Sequence, residues 1–386
     1  MTSLALTHPR PAGGPDLHRD VAPAAVTTHV VTGFDEFAAL EHEWNDAVIR
    51  AQVPHPFLRH EWCRTWWESF AGTGRRLHSV IARSGGTIIG IAPLMTEQVQ
   101  MYGLPIRRLD LLHNDHTPRA DWIIAGPRLQ AYAAIWSALR DTRDQWDLLQ
   151  LSRLPDDSPT GETVATLARQ DGCQIGTWRG DVSPYLTLTG TWDGFHASLS
   201  AKFRSNLRNR LTRLARFGEP RLEIVEELDD TARDDAWRLE ASGWKAASQT
   251  SIASDPAVHR FYTRLAERAA DHGWLRLMFL TVGGRRIATS YGACFDRRLF
   301  LFKTGYDPDY ATCSPFKLLT CEAIRSAYAE GLREVDFLGD AEPWKLEWTS
   351  ASRAHDWLFV FAGTRRARLL HSLKFQVVPE LKRWRA

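Results

Sequence analysis

Residues 299–348 contain a strand, a helix and a second strand in direct succession, and this order limits the possible folds more than any other feature of the chain. LFLFKTGYDPDY (299–310) is typical of a buried strand that leaves through a polar turn, and REVDFLGD (333–340) is typical of a second strand. The helix between them should begin at Pro315, with Ser314 capping free backbone N–H groups, and end at Gly331. This unit predicts two parallel strands joined by a right-handed crossover.

The predicted helix start is the first candidate for a ligand site. A helix N-terminus that points between two parallel strands offers backbone N–H groups to an anion such as a pyrophosphate. Tyr306 and Tyr310 bracket the turn that leads into it. The residues predicted to bind a cofactor here are therefore Lys303, Tyr306, Ser314, Pro315, Phe316 and Lys317.

The order of elements occurs twice along the chain. A hairpin turn at Gly85–Gly86 is matched by another at Gly283–Gly284, and each hairpin is followed by a strand, a helix and a strand. We therefore predict an α/β (α+β) protein with two tandem, similar domains of mixed sheets flanked by helices, at residues 26–190 and 191–386. Residues 1–25 are rich in Pro, Ala and Gly without an apolar segment, which predicts a disordered tail rather than a signal peptide.

The composition is that of an ordinary globular protein, and it excludes several classes. The 386 residues are 44% hydrophobic and 24% charged, and the formal net charge of +2 argues neither for nor against nucleic acid. Five scattered cysteines without a C-x-x-C pair indicate neither a disulfide framework nor zinc, and they fit a reducing cytoplasm. No apolar run reaches membrane-spanning length. Motifs of serine hydrolases, P-loop NTPases and zinc proteases are absent from the sequence.

Residues 195–348 carry motifs that resemble a known family. The motifs are YDPDYATCSPFKLL, GLREVDFLGD and PWKLEW, preceded by LSAKFRSNLRNRLTRLARFG and LEASGWKAASQTSIASDPAVHRFYTRLA. They resemble the CelD/BcsL-like branch of the GNAT superfamily, which is related to the Fem peptidyltransferases. The resemblance implies a GNAT fold that takes an acyl group, most simply acetyl, from acyl-CoA. The glycine-rich phosphate loop of ordinary GNAT enzymes is replaced by residues 311–315, and Fem relatives use aminoacyl-tRNA, so that donor remains the alternative.

Four residues are candidates for catalysis. The resemblance implies that Lys345, in PWKLEW, stabilises negative charge on the acyl oxygen; the alternative is a surface lysine that covers an aromatic ring. Amine acylation also needs a base for the attacking ammonium. Asp336, at the end of the last core strand, Glu240 and Tyr310 are the candidates for acid–base roles.

The acceptor site is predicted from two further segments. Helix 202–217 presents one apolar and one strongly basic face, which is either solvated or binds a phosphate-rich ligand. The polar stretch 113–121 fits no zinc framework and is predicted to face the interdomain cleft, so no metal is expected. The predicted acceptor-binding residues are Lys202, Arg204, Arg208, Trp244, Lys245, His116 and Asp121.

These observations predict a cytoplasmic N-acyltransferase that moves an acetyl or other acyl group from acyl-CoA to an amine. The acceptor would be a sugar, a polysaccharide precursor or a small metabolite, and a link to exopolysaccharide or cellulose synthesis follows from the resemblance. The alternatives are a Fem-like enzyme that uses aminoacyl-tRNA, and a degenerate GNAT fold that serves as a binding partner in polysaccharide assembly.

Overall fold

The architecture is taken from a computed structural model of the chain, which describes residues 25–225, 227–242 and 251–380. The strands are β1 Val26–Val31, β2 Arg75–Leu77, β3 Ser79–Ser84, β4 Thr87–Ala92, β5 Leu94–Met101, β6 Leu104–Leu111, β7 Ile123–Ile124, β8 Leu148–Pro155, β9 Gln174–Thr187, β10 Pro220–Val225, β11 Leu275–Val282, β12 Arg285–Phe295, β13 Arg298–Tyr306, β14 Glu334–Asp336 and β15 Ser352–Phe361.

The helices lie on both faces of these strands. They are α1 Phe34–Ala39, α2 Glu41–Arg50, α3 His60–Phe70, α4 Arg128–Asp141, α5 Thr160–Gln170, α6 Trp192–Ser198, α7 Ala201–Leu214, α8 Asp230–Glu240, α9 Pro256–Asp271, α10 Pro315–Ala329, α11 Pro343–Leu346 and α12 Arg365–Ser372. A 3₁₀ turn at Pro308–Cys313 precedes α10, and a π-helix at Leu373–Val377 follows α12. Within the described ranges, no helix combines the length and the apolar character needed to cross a bilayer.

The C-terminal half contains the predicted strand–helix–strand unit. β13 pairs with β14 in parallel, and α10 connects them, which confirms the parallel pair. The pairing covers only Arg298–Phe300 against Glu334–Asp336, whereas β13 continues to Tyr306 along β12. β13 and β14 are therefore paired only over three residues, and β13 then continues without β14 beside it. The opening beside the second half of β13 is called the cleft below.

The N-terminal half repeats this plan. The β3–β4 hairpin turns at Gly85–Gly86 (φ 56° and 82°), and the β11–β12 hairpin turns at Gly283–Gly284 (φ 57° and 79°). Because both residues of each turn have positive φ, glycine is the residue that fits them. β6 and β8 are parallel and are joined through α4, as β13 and β14 are through α10. The predicted α/β fold with two GNAT-like units is confirmed.

The two halves share one sheet of 11 strands in the order β10-β11-β12-β13-β14-β9-β15-β8-β6-β5-β2, beside a sheet of four in the order β1-β3-β4-β7. β9 joins them, because Tyr185–Thr187 pair with β14 and the preceding residues pair with β15. β15 also pairs with β8 and buries Phe359 and Phe361 in the N-terminal core. A strand from the second predicted domain thus completes the sheet of the first.

Aromatic side chains join the N-terminal helices to the face of β13. The rings of Phe57 and Phe300 lie 5.5 Å apart, and those of Trp62 and Phe302 also lie 5.5 Å apart. Trp62, Trp66 and Trp348 are all buried in the core. These three tryptophans therefore contribute to the packing of the core.

Candidate active site

The cleft beside β13 is shaped by two local features of that strand. Phe302 is an extra residue in the ladder, because Lys303 faces Tyr291 whereas Leu301 faces Gly292. At Gly305 the end of α8 lies so close that a Cβ atom would sit 2.2 Å from the carbonyl oxygen of Leu239. Glycine at 305 therefore allows the close approach that brings Glu240 to β13.

His116, Tyr262 and Lys303 lie together beside the second half of β13. The His116 Nδ1 lies 3.2 Å from the Tyr262 hydroxyl, and the Lys303 Nζ lies 5.2 Å from the centre of the Tyr262 ring. Burial, followed by the charge of Lys303, lowers the pKa of His116 to about 4. The imidazole is therefore neutral at pH 7 and can accept a proton. The structure thus brings together His116, which was predicted to bind the acyl acceptor, and Lys303, which was predicted to bind the acyl donor.

Glu240, predicted as an acid–base group, lies close enough to Tyr262 for its charge to act on that hydroxyl. Its carboxylate is buried and accepts a hydrogen bond from the Ile252 backbone N–H at 2.8 Å. Burial, and then the charge of Glu240, raises the pKa of Tyr262, so this hydroxyl remains a proton donor at neutral pH. Tyr262 belongs to the site, although the sequence analysis missed it; its place in the quoted motif LEASGWKAASQTSIASDPAVHRFYTRLA was the available signal.

Asp336 is held by ion pairs across the two halves of the chain. Its Oδ2 accepts from Arg119 at 2.5 Å and from Arg353 at 3.2 Å, and its Oδ1 accepts from the Leu338 N–H at 3.0 Å. The side chain is fully buried. Both oxygens of this carboxylate are engaged by donors of the protein, so Asp336 is poorly placed to contact an acceptor.

Lys345, predicted to stabilise an oxyanion, has three acceptors within the protein. Its Nζ donates to the carbonyl oxygens of Leu338 at 2.7 Å and Asp340 at 2.9 Å, and lies 3.1 Å from a Glu342 carboxylate oxygen. The residue is buried, and it does not occupy the exposed surface of the alternative prediction. The ammonium binds the loop after β14, so contact with an acyl oxygen would require it to release one of these acceptors.

The start of α10 is built differently from the expectation. Ser314 adopts a left-handed conformation (φ 46°), and its side chain makes no capping hydrogen bond, so the predicted cap is wrong. Its carbonyl oxygen instead accepts from the Lys317 N–H at 3.0 Å. Pro315 occupies the first helical position, as predicted. Since no side chain caps this helix, Pro315 has no N–H and the Lys317 N–H is engaged, the Phe316 N–H is the first-turn group that has no partner among the described residues and is available to a ligand.

The other predicted donor residues surround this helix start. The Phe316 ring lies 4.6 Å from that of Trp344, and Lys317 pairs with Glu347. Tyr310, which was predicted as an acid–base group, also lies here and packs against Phe217 at 5.2 Å. Tyr306 continues β13 opposite Ala288 and is partly buried beside α10.

α7 lies across this helix start and carries the basic residues. Phe203, near its beginning, lies beneath the Lys317 ammonium at 5.7 Å, and Phe217, just after its end, touches Tyr310. Arg210 shares the inward face of the helix with Phe203, Leu207 and Leu214. Its Nη1 is buried and has no hydrogen-bond partner among the residues that the structure describes. The sequence analysis omitted Arg210 from the site, although its spacing from the apolar residues was a signal.

The remaining predicted acceptor residues do not gather at the cleft. Lys202 is exposed, Arg204 is partly buried, and Arg208 lines a separate cavity of about 590 Å³ between α7 and α10. Trp244 and Lys245 lie outside the described residues. Asp121 lies in another cavity, of about 570 Å³, in the N-terminal half.

The described residues include one trio of possible metal ligands, away from the cleft. Glu41, Glu61 and His272 have ligand atoms within 4.8 Å of one another. Glu61 is already paired with Arg59 at 3.1 Å and with His272 at 3.0 Å. The prediction that the reaction uses no metal stays a prediction.

Comparison with known proteins agrees with this geometry. Residues 201–346 match the acetyltransferase (GNAT) domain family. The fold is similar to that of FemX (10% identity, 91% of this chain and 100% of that chain, TM-score 0.56). It is also similar to the C-terminal domain (DUF2156) of a predicted lysylphosphatidylglycerol synthetase from Agrobacterium fabrum (12% identity, 86% and 95% of the chains, TM-score 0.51). No curated protein matches the sequence. Residues 201–346 thus form a GNAT-type acetyltransferase domain, and the chain is an acyltransferase.

Proposed function

We propose that this enzyme transfers an acetyl or related acyl group from acyl-CoA to an amine. The observation that carries the proposal is the opening between β13 and β14, with His116, Tyr262 and Lys303 beside β13 and an uncapped helix start at Pro315. Separated parallel strands expose backbone N–H and C=O groups that an extended thioester can pair with. In this proposal, acid–base groups and an anion site border one opening.

Arg210 supports the donor end of this proposal. One end of α7 lies against Lys317 and the other end lies near Tyr310, so the inward face of α7 covers the turn that precedes α10. Arg210 lies midway along that face with an unpaired, buried N–H group. A buried donor without a partner costs about 1–3 kcal/mol. A phosphate bound between the helix start and the guanidinium would satisfy both groups.

The acceptor end is supported by the protonation states at the cleft. The amine nitrogen attacks the thioester carbonyl, a C–N bond forms, and the C–S bond breaks to release the thiolate of CoA. The neutral imidazole of His116 would take the proton that the amine loses, with Glu240 as the second candidate base. The protonated Tyr262 and the Lys303 ammonium lie where they can donate to negative charge that develops in the transition state.

Two measurements test the donor. Acetyl-CoA should raise the melting temperature of the protein, because a ligand that binds only the folded state stabilises it. Arg210→Gln should weaken acetyl-CoA binding by about tenfold or more, the scale of a lost charge-assisted hydrogen bond. Arg213→Gln, on the exposed face of the same helix, is the matched control and should bind normally. Equal affinities of the two variants would remove Arg210 from the donor site.

A third measurement tests the base. His116→Gln should lower the turnover number about a hundredfold while leaving acetyl-CoA affinity unchanged, because general-base catalysis contributes 10²–10⁴-fold. His42→Gln, whose side chain is 91% exposed, should retain full activity. Normal turnover of the His116 variant would transfer the role to Glu240.

The aminoacyl-tRNA donor is the alternative, and the exposed basic face of α7, with Lys202, Arg208 and Arg213, favours it. If tRNA binds there, its affinity should fall steeply with salt, and Arg208→Gln together with Arg213→Gln should reduce that slope by about 2. Transfer from charged tRNA with none from any acyl-CoA would overturn the proposal.

The cellular setting is the remaining part of the proposal. A cytoplasmic location is supported by the five free cysteines, Cys63, Cys173, Cys294, Cys313 and Cys321. The acceptor would be an amine on a sugar, a polysaccharide precursor or a small metabolite, and membership of the CelD/BcsL-like branch would connect the enzyme to polysaccharide synthesis. Comparing acetyl transfer to amino sugars with transfer to other small amines would test this acceptor class.

A further inference from the structure

The N-terminal half contains a cavity of about 570 Å³ that the proposed reaction does not use. It lies where the loop after β6, the start of α4 and the start of α5 meet. In the chain's internal repeat this is the counterpart of the donor cleft, since α4 joins β6 to β8 as α10 joins β13 to β14. Its volume is within the range of small-molecule sites.

Asp121 is the central polar group of this cavity. One carboxylate oxygen accepts from the Trp122 N–H at 2.7 Å, and the hydroxyls of Ser158 and Thr160 also bind the carboxylate. The Thr160 hydroxyl is itself fixed, at 2.7 Å, by that of Tyr132. Neutral groups therefore hold Asp121 rigidly, and no ion pair to it is found within the described part of the chain.

The nearby arginines do not neutralise Asp121. Arg119 and Arg353 line the cavity, but both donate to Asp336, and Arg353 also pairs with Glu334 at 2.8 Å. The exposed residues Arg128 and Asp157 are of opposite charge and both line the opening. The lining is therefore left with one carboxylate, that of Asp121, in excess.

We propose that this cavity binds the ammonium group of a small polar amine, with Asp121 as its ionic partner. A partly buried carboxylate without a cation is costly, and an ammonium donates up to three charge-assisted hydrogen bonds to it. The tyrosine, serine and threonine hydroxyls would surround the polar body of the ligand. This site goes beyond the proposed acyl transfer, because it concerns binding and holds for either acyl donor.

The protonation state of Asp121 gives the site a pH signature. Burial raises the pKa of Asp121 to about 6, and the charge of Asp157 adds to this effect. Of the other groups around the cavity, burial lowers the pKa of His55 well below its ordinary range and raises that of Tyr132 to about 12. The charged groups Arg119, Arg128 and Arg353 complete the lining. Amine affinity should consequently fall as the pH drops below about 6.

The test is calorimetric titration of the full chain with pairs of compounds in which amino groups of one member are replaced by hydroxyl groups in the other. Suitable pairs are glucosamine with glucose, ethanolamine with ethylene glycol, and putrescine with butanediol. At least one amine should bind at pH 7.5 with no binding of its hydroxyl counterpart, and its affinity should decrease about tenfold or more at pH 5. Asp121→Asn should weaken that binding at least tenfold, whereas Asp141→Asn, an exposed residue at the far end of α4 and outside the cavity lining, should retain it.

Acetyl-CoA binding is measured on the same samples and should be unchanged in Asp121→Asn. Normal acetyl-CoA binding without amine binding would refute this inference and leave the proposed function standing. Amine binding without any acyl-CoA binding would refute the proposed function and leave this inference standing. Equal binding of amines and their hydroxyl counterparts, full affinity in Asp121→Asn, or a pH-independent affinity of the wild type would each overturn the proposal. The pH measurement needs no variant, so it remains decisive even if the substituted protein folds poorly.

Discussion

Replacing Asp121 by Asn should make the enzyme more stable at neutral pH, although the substitution removes the proposed ligand contact. Burial raises the pKa of Asp121 from the ordinary value of 3.8 to about 6. At about 1.4 kcal/mol per pKa unit, ionising this group costs the folded protein about 3 kcal/mol at pH 7.5. Asn has the same shape, can still accept from the Trp122 N–H and carries no charge.

The sign of the pH dependence follows from proton binding in the two states. Below pH 3.8 the Asp121 carboxyl is protonated in both the folded and the unfolded chain, so ionisation costs nothing. Between pH 3.8 and about 6 only the unfolded chain releases the proton, and a rise in pH therefore lowers the free energy of unfolding. Above about pH 6 the full cost is present. The wild type should lose stability relative to Asp121→Asn as the pH rises.

The assay is urea unfolding of wild type and Asp121→Asn at pH 5 and pH 7.5. The stability advantage of the variant should increase by about 1.4 kcal/mol between these two pH values. Asp141→Asn is the control and should show a change within about 0.5 kcal/mol, as expected for an exposed residue. A difference between variant and wild type that is the same at both pH values would refute the reasoning, since it would mean that Asp121 ionises normally.

Three further substitutions test the interior of the site. Lys345→Met should lower the melting temperature, because the buried Leu338 carbonyl loses its donor at about 1–3 kcal/mol and the Asp340 carbonyl also loses a hydrogen bond; a stable variant with turnover reduced a hundredfold would favour the oxyanion role instead. Arg119→Met should lower the free energy of unfolding by about 3–5 kcal/mol, since it leaves Asp336 buried beside one arginine; a decrease of less than about 1 kcal/mol would contradict the ion-pair assignment. Gly305→Ala should destabilise the protein and reduce turnover, whereas Gly74→Ala, where a Cβ meets open space, should be neutral.

The local pattern of the sequence was sufficient for the element plan. The glycine pairs at 85–86 and 283–284 require positive φ whatever surrounds them, and this fixed both hairpins. The strand–helix–strand order of residues 299–348 was enough to predict the parallel pair, because a strand cannot return in parallel without a crossover. The position of Pro315 at the helix start was equally local. These features depend on backbone geometry within a few residues, which is information that a sequence carries directly.

The roles of the candidate residues depended on partners far away in the chain. Asp336 had been considered as a base, but Arg119, 217 residues earlier, binds it in the interior. Lys345 had been considered as an oxyanion donor, but the loop after β14 folds back onto its ammonium. A carboxylate or an ammonium looks the same in a sequence whether it is free or paired, because its chemistry is set by neighbours in space.

The sequence alone determined that this chain has two GNAT-like units and an acyltransferase domain, because these follow from the order of elements and from motifs that are contiguous in the chain. Only the tertiary structure decided that β15 crosses into the N-terminal sheet, that His116 meets Tyr262 and Lys303, and that Asp121 has no cationic partner among the residues that the structure describes. The physical reason is that strand exchange, burial and charge pairing join residues that are separated by tens to hundreds of positions, and local patterns do not record which of them will meet.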